Sequence, residues 1–205
     1  SFITLAVVGD AKEAVQGKLI VWIFAMRFLM DFCSGLAYFI NQAISSAKYA
    51  GKKEFDFEEP LMRLIWIAAF LCIGVSFAGS YVLISDLEVS VKGVATAMPD
   101  VWWQLALIIS CGTLAAVLIP EFTKVFTSAR SKHVREIVSA SQEGGASLTI
   151  LSGIVAGNFS AFYMGLLIAG LMAGAYATSL FIPDAVIQFP SIFAFGLVAY
   201  GFLCM

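Results

Sequence analysis

Four stretches of this sequence, roughly residues 19–44, 61–85, 101–126 and 146–182, are long, apolar and nearly free of charge. Each meets the ~20 residues that a helix needs to cross a bilayer. In hydrocarbon every backbone N–H and C=O must be bonded within the segment or to a closed sheet. The strands of a closed barrel are about 10 residues long with alternating polarity, which these runs are not. The remaining solution is the α-helix. A fifth apolar run, 189–205, is too short to span as it stands. The fold class expected is therefore all-α: a polytopic transmembrane helix bundle with four full spanning helices and the start of a fifth, forming a single transmembrane region over 1–205.

Composition agrees. The chain is 60% hydrophobic and 13% charged, with a mean hydropathy of +0.92, whereas soluble domains are about half apolar and about a quarter charged. A net charge of −2 gives no footprint for nucleic acid or for a polybasic surface helix. Cys33, Cys72, Cys111 and Cys204 each stand alone in apolar runs, and the one histidine leaves no metal-ligand spacing. They read as small buried residues. The chain opens on "SFITLAVV", with neither Met nor a secretory pattern, and stops at "AYGFLCM" inside an apolar run, so both ends read as cut from something longer.

The connections set the orientation. Residues 45–60 carry Lys48, Lys52 and Lys53, and residues 127–145 carry Arg130, Lys132 and Arg135, against Lys12, Lys18 and Lys92 on the other side. The positive-inside bias puts the 45–60 and 127–145 loops in the cytoplasm of a multi-pass cell-membrane protein, most simply a bacterial inner membrane. Trp22, Trp66, Trp102 and Trp103 fall near helix ends, as interfacial anchors do. Within 127–145, Val134, Ile137 and Val138 recur at helical spacing among charges. A short amphipathic cytoplasmic helix follows, either covering a site or packing on its neighbours.

The stretch "EGGASLTILSGIVAGNFSAF", residues 143–162, admits two readings. A phosphate-cradling loop needs a preceding strand and a Lys after its glycines, and neither is present. The alternative is a helix starting at Gly144-Gly145 whose small residues, with Gly153 and Gly157 four apart, allow close approach by other helices. At that depth Asn158 reads as an interhelical hydrogen-bonding group rather than a glycosylation site.

Few residues here are suited to chemistry. Arg27 and Asp31 lie one helical turn apart inside the first span. Charge at that depth costs ~2.5–3.5 kcal/mol per residue and is paired or turned toward protein. The two are either part of an ion path or a self-neutralising pair that locks helices together. Glu121 follows Pro120, which should kink the third helix, and is a candidate interfacial acid near Lys124, with a gate role as the alternative. His133 reads as a surface residue. Glu54, Asp56, Glu58 and Glu59 read as a solvated loop face, or as a Mg²⁺ site. No nucleophile–base set and no metal cluster is evident.

Residues 120–162 go further, because Glu121-Phe122-Thr123, Phe126-Thr127-Ser128, Val134-Arg135-Glu136 and Gly145-Ala146-Ser147 fall in one run. That run resembles the membrane-bound inorganic pyrophosphatases, the pyrophosphate-energised proton or sodium pumps. "KLIVWIFAMRFLMDF" and "IFAFGLVAYGF" look like one bacterial branch of that family. The resemblance implies a homodimer of sixteen-helix subunits with an inner ring of six. This piece would be helices seven to ten and the start of eleven: outer-ring scaffold with a dimer contact. It further implies hydrolysis of inorganic pyrophosphate with Mg²⁺, K⁺ or Na⁺ as candidate further cofactors, and pumping of H⁺ or Na⁺ out of the cytoplasm. The family's aspartate- and lysine-bearing motifs are absent from this sequence, so no catalytic, substrate-binding or metal residue is assigned to it. A secondary transporter or a non-enzymatic membrane scaffold would share the pattern of glycine-rich helices.

Overall fold

The computed structural model describes residues 12–50, 58–85, 88–91, 94–97, 100–182, 187 and 189–203, without the side chains of 12–15, 88–91 and 94–97. Five helices follow the apolar runs. The first, α1 (Lys12–Tyr49), exceeds its expected bounds at both ends. Its flanks, "KEAVQGK" and "QAISSAKY", hold no proline, so nothing stops the helix where the hydrocarbon ends.

One stripe of α1 is buried: Leu19, Trp22, Met26, Met30, Cys33, Ala37 and Asn41, at the alternating three- and four-residue spacing of a single helical face. It packs on α2 (Glu58–Ile84), whose buried face is small: Ala68, Ala69, Cys72, Ser76, Gly79 and Ser80. Large side chains on one helix thus seat against small ones on the other. A Cβ on Gly79 would stand 2.9 Å from the Met26 sulfur. The buried Trp22 donates its indole N–H to the Ser80 hydroxyl at 3.1 Å. Trp22 is therefore a core residue and not the interfacial anchor its place in the sequence suggested.

Between α2 and the third helix lies an antiparallel hairpin, β1 (Glu88–Val91) with β2 (Val94–Ala97), registered Glu88↔Ala97 to Val91↔Val94. Its valines and threonine favour extended backbone once the chain leaves the bundle.

The central element is α3 (Val101–Thr127), which touches α2 and both following helices. Its first half is buried almost all round, as expected of a helix enclosed by others. It runs on through Pro120 to Thr127. Helix α4 (Lys132–Ser179) is two arms joined at Gly145, whose φ of 62° and ψ of −148° only glycine adopts readily. The first arm, 132–144, is capped by Ser131, whose hydroxyl accepts from the Val134 N–H at 3.2 Å. It doubles back along the second arm across a cleft of about 310 Å³ lined by His133, Ile137, Leu148, Leu151 and Val155. The expected amphipathic helix exists, and it packs on its neighbour.

The last helix, α5 (Pro190–Leu203), begins with proline at its first position, where no N–H is needed. It lies against α3 and α4. The Tyr200 hydroxyl also donates to the Ile23 carbonyl of α1 at 2.6 Å. The α3–α5 contact is made by glycines in both directions. A Cβ on Gly112 would stand 2.9 Å from the Phe202 nitrogen, and one on Gly201 would stand 3.2 Å from the Ile109 carbonyl carbon. The backbones therefore touch, which is how helices associate where lipid supplies no hydrophobic drive.

Three stretches are long and apolar enough to cross a membrane: Gln16–Tyr49, Glu58–Ile84 and Val101–Ser179. The third contains both α3 and the second arm of α4. Pro190–Leu203 is a shorter apolar helix. The fold is the all-α membrane bundle expected.

Candidate functional site

The intramembrane charges form the pair that their spacing predicts. Arg27 Nε donates to Asp31 Oδ2 at 3.1 Å, and Arg27 Nη1 donates to the Leu203 carbonyl at 2.9 Å. The guanidinium thus joins α1 to α5, close to the Tyr200–Ile23 bond. The two side chains nevertheless stay 44% and 52% exposed. Such exposure at mid-span calls for a neighbour other than lipid.

The other candidates gather where α1 ends, α2 begins and α3 ends. Glu121 accepts from the Trp66 indole N–H at 2.9 Å, so it ties α3 to α2. Glu59 receives Lys48 from α1, the Tyr49 hydroxyl at 2.8 Å, and Arg63 one turn along α2 at 3.0 Å. Glu58 meets Lys124 at 3.8 Å and the Ser128 hydroxyl at 3.2 Å. Both glutamates sit in the first turn of α2, where the helix dipole favours negative charge. This ring brings the end of α1, the start of α2 and the end of α3 together. Glu58 and Glu59 are interhelical ties whose side chains stay exposed to solvent; Glu54 and Asp56 lie outside the described residues. The sequence signal was present, since lysines ending one helix face glutamates opening the next, but no linear spacing pairs them.

His133 stacks on Phe126 with ring centroids 4.7 Å apart, and its Nδ1 lies 3.9 Å from Glu136. Phe126 in turn stacks on Tyr163 of α4 at 6.3 Å. Cys33 and Cys72 are buried, and Cys111 is half-buried; Cys204 lies outside the described residues. Asn158 is exposed on α4. A Cβ on Gly153, Gly157, Gly165 or Gly174 would meet no described atom within 4 Å. The face read as built for packing has no partner among the described residues.

Among the described residues no group of three or more His, Cys, Asp or Glu side chains could hold a metal ion. These residues do not fit a Mg²⁺ site, and no chemical step is assigned to one on this chain. The arrangement ties helices together.

Comparison with known proteins identifies the family. A family model described as inorganic H+ pyrophosphatase matches residues 1–205. The chain belongs to that family. A K(+)-insensitive pyrophosphate-energized proton pump of Chlorobaculum tepidum (strain ATCC 49652 / DSM 12025 / NBRC 103806 / TLS) is 46% identical over 205 residues, 100% of this chain and 26% of the pump. The chain thus spans about a quarter of that relative's length. No solved structure gives a significant match.

With the pyrophosphatase family established, the run at 120–162 has a physical explanation. Glu121 binds α2. Thr123 and Thr127 return their hydroxyls to carbonyls four residues back, at 2.8 Å each. Phe126 stacks between His133 and Tyr163, Ser128 meets Glu58, and Gly145 turns the chain. The stretch that carries the family resemblance is the stretch that builds the α3–α4 reversal.

Proposed function

We propose that this chain is a scaffold segment of a membrane pyrophosphatase that couples hydrolysis of inorganic pyrophosphate to movement of protons out of the cytoplasm. The observation that carries this reading is the match along the whole chain, including 46% identity to a proton pump described as K(+)-insensitive. That relative favours H⁺ over Na⁺ as the transported ion, and activity without K⁺. Mg²⁺, pyrophosphate and the reacting groups belong to parts of the protein outside this chain. This assignment fits a bundle in which Arg27, Lys48, Glu58, Glu59, Glu121 and Lys124 tie one helix to another. In the same reading α1 to α4 stand in the outer ring of a larger helix array, and the open glycine face of α4 meets a second subunit of a homodimer. Arg27 and Asp31 act as a brace between α1 and α5, not as an ion path. The ring of Glu58, Glu59 and Glu121 marks the cytoplasmic interface of the inner membrane.

The test uses the full-length protein in sealed membrane vesicles. Mg²⁺ and pyrophosphate are added, and phosphate release is followed together with a pH-sensitive dye. Hydrolysis with acidification of the vesicle lumen, unchanged by removing Na⁺ and K⁺, is the expected result. Hydrolysis that stops without Na⁺ replaces the transported ion with sodium. Absence of hydrolysis under every cation condition overturns the reading.

A further inference from the structure

We propose that α1 carries a polar helix-docking face within the membrane, and that its occupant is a spanning helix from the part of the same subunit outside residues 1–205. The inference rests on reading the chain as one segment of a longer membrane protein. At 3.6 residues per turn, Arg27, Asp31, Ser34, Tyr38 and Gln42 fall within a stripe roughly 80° wide. It runs roughly 22 Å along the helix, most of the ~30 Å thickness of the hydrocarbon. This stripe lies beside the buried one, Trp22 to Asn41, that packs on α2. The remaining side of α1 is apolar and exposed, with Phe28, Phe32, Leu36 and Phe39 on it. A helix that met only α2 and lipid would leave its polar side in hydrocarbon.

Three observations identify the occupant. Asp31, Tyr38 and Gln42 are exposed along the stripe, and lipid against an intramembrane charge costs about 2.5–3.5 kcal/mol. Lipid is therefore the wrong neighbour. A helix already meets this side of α1 at the head of the stripe. Tyr200 of α5 donates to the Ile23 carbonyl, and Leu203, three residues on, accepts from Arg27, four residues on. The two helices thus run parallel, and the side of α1 that α5 meets is the side that the stripe continues toward Gln42. Finally, the chain is 26% of the length of the proton pump that it matches, so about three-quarters of such a subunit remains to supply further helices.

The side chains also state what the partner carries. The bond from Arg27 goes to Asp31 Oδ2, and a carboxylate accepts at both oxygens. The partner helix supplies a hydrogen-bond donor at that level. Toward Gln42 it needs only hydroxyl or amide groups, since the Tyr38 hydroxyl and the Gln42 amide both donate and accept. Gly35 stands at the edge of the stripe, and a Cβ there would meet no described atom within 4 Å. Its open backbone lets a second helix come close, and side-chain hydrogen bonds then hold it. Close approach at a glycine and a seat for α5 belong to helix packing; neither serves a water-filled passage.

The test uses the full-length protein in its native membrane. The photo-crosslinking amino acid p-benzoylphenylalanine is placed at Tyr38 and, for comparison, at Phe32 on the apolar side. Both sites already hold an aromatic ring, and Gln42 takes the same probe if the Tyr38 form is not recovered. After irradiation, adducts are mapped by mass spectrometry and subunit mass is read on a denaturing gel. The polar-side probe is expected to join peptides outside residues 1–205 within one subunit, and to give a larger share of protein adducts than Phe32. Lipid adducts at Tyr38 in the same share as at Phe32 overturn the proposal. So does a band of doubled mass, which makes the face a contact between subunits. A third measurement addresses water: Ser34→Cys is exposed to a small cationic methanethiosulfonate, with the wild type as background. Labelling only after denaturation is expected, and rapid labelling in the intact membrane overturns the proposal in favour of an aqueous path. None of these readouts needs pyrophosphate hydrolysis, so the result stands apart from the success or failure of the pump reading.

Discussion

Replacing Gly112 with alanine places one methyl group where α3 and α5 touch, and its consequences follow from the geometry. The new Cβ would stand 2.9 Å from the Phe202 nitrogen and 3.0 Å from the Val198 carbonyl carbon, with the Val198 oxygen nearer still. An ordinary carbon–oxygen contact is about 3.3–3.6 Å. All three obstacles are backbone atoms, so no rotamer change relieves them, and α5 must withdraw by roughly 0.5–1 Å or more. A gap of that size forfeits about a quarter to a half of each dispersion contact it opens, here along the buried Phe193, Leu197 and Val198. Overpacking typically costs about 1–3 kcal/mol, and the rigid neighbours put this site at the upper end. Alanine returns about 1 kcal/mol through its better helix propensity. The net expectation is destabilisation by about 2 kcal/mol, roughly a thirtyfold shift in equilibrium. Gly74→Ala is the control, since its Cβ would meet no described atom within 4 Å. The assay is unfolding of the full-length protein by SDS titration from mixed micelles, followed by tryptophan fluorescence. If Gly112→Ala unfolds with the wild type while Gly74→Ala unfolds earlier, the argument from close backbone approach is refuted.

Three further outcomes are expected. Asp31→Asn removes the carboxylate paired with Arg27 one turn away and costs on the order of 2.5–3.5 kcal/mol; membrane yield should fall more for this single change than for the double change Arg27→Leu with Asp31→Leu. Trp22→Phe leaves the buried Ser80 hydroxyl without the bond that it now receives, a loss of about 1–3 kcal/mol, and adding Ser80→Ala should restore part of it in a double-mutant cycle. Gly145→Ala forces a side chain onto a backbone with φ of 62°; the strain of about 1–3 kcal/mol should appear as faster trypsin cleavage at Arg130 to Arg135, the basic turn beside the arm.

Much of the bundle was legible in the sequence because hydrocarbon admits so few solutions. Apolar length located the spans, lysine and arginine placement put two connections at one end, and the four-residue spacing of Arg27 and Asp31 gave their bond. What escaped reading depends on residues far apart in the chain. Gly112 and Gly201 carry the closest helix contact, yet each stands alone with no repeat to flag it. The regularly spaced glycines of α4 gave the stronger pattern and have no described partner. Trp22 sits near a helix end, where an interfacial role is the natural expectation, and only the position of Ser80 on another helix makes it a core residue. The ionic ring was hidden for the same reason, since Glu58 meets Lys124 and Ser128 across a reversal that the sequence does not bring into register.

The bonds from α5 to α1 reach back across almost the whole chain, 177 residues for Tyr200 to Ile23 and 176 for Leu203 to Arg27. During synthesis α1 is laid down well before α5. Contacts this remote in sequence are slow to find, because the loop between them must close before any of them rewards the closure. Until α5 arrives, the Gly112 surface of α3 and the charge pair on α1 lack the neighbour that completes them. Docking of α5 is thus a late step in the assembly of this segment. Growing chains halted before residue 190 should hold α1 to α3 in a looser arrangement that is open to interception by quality-control proteases, and release of α5 should close it.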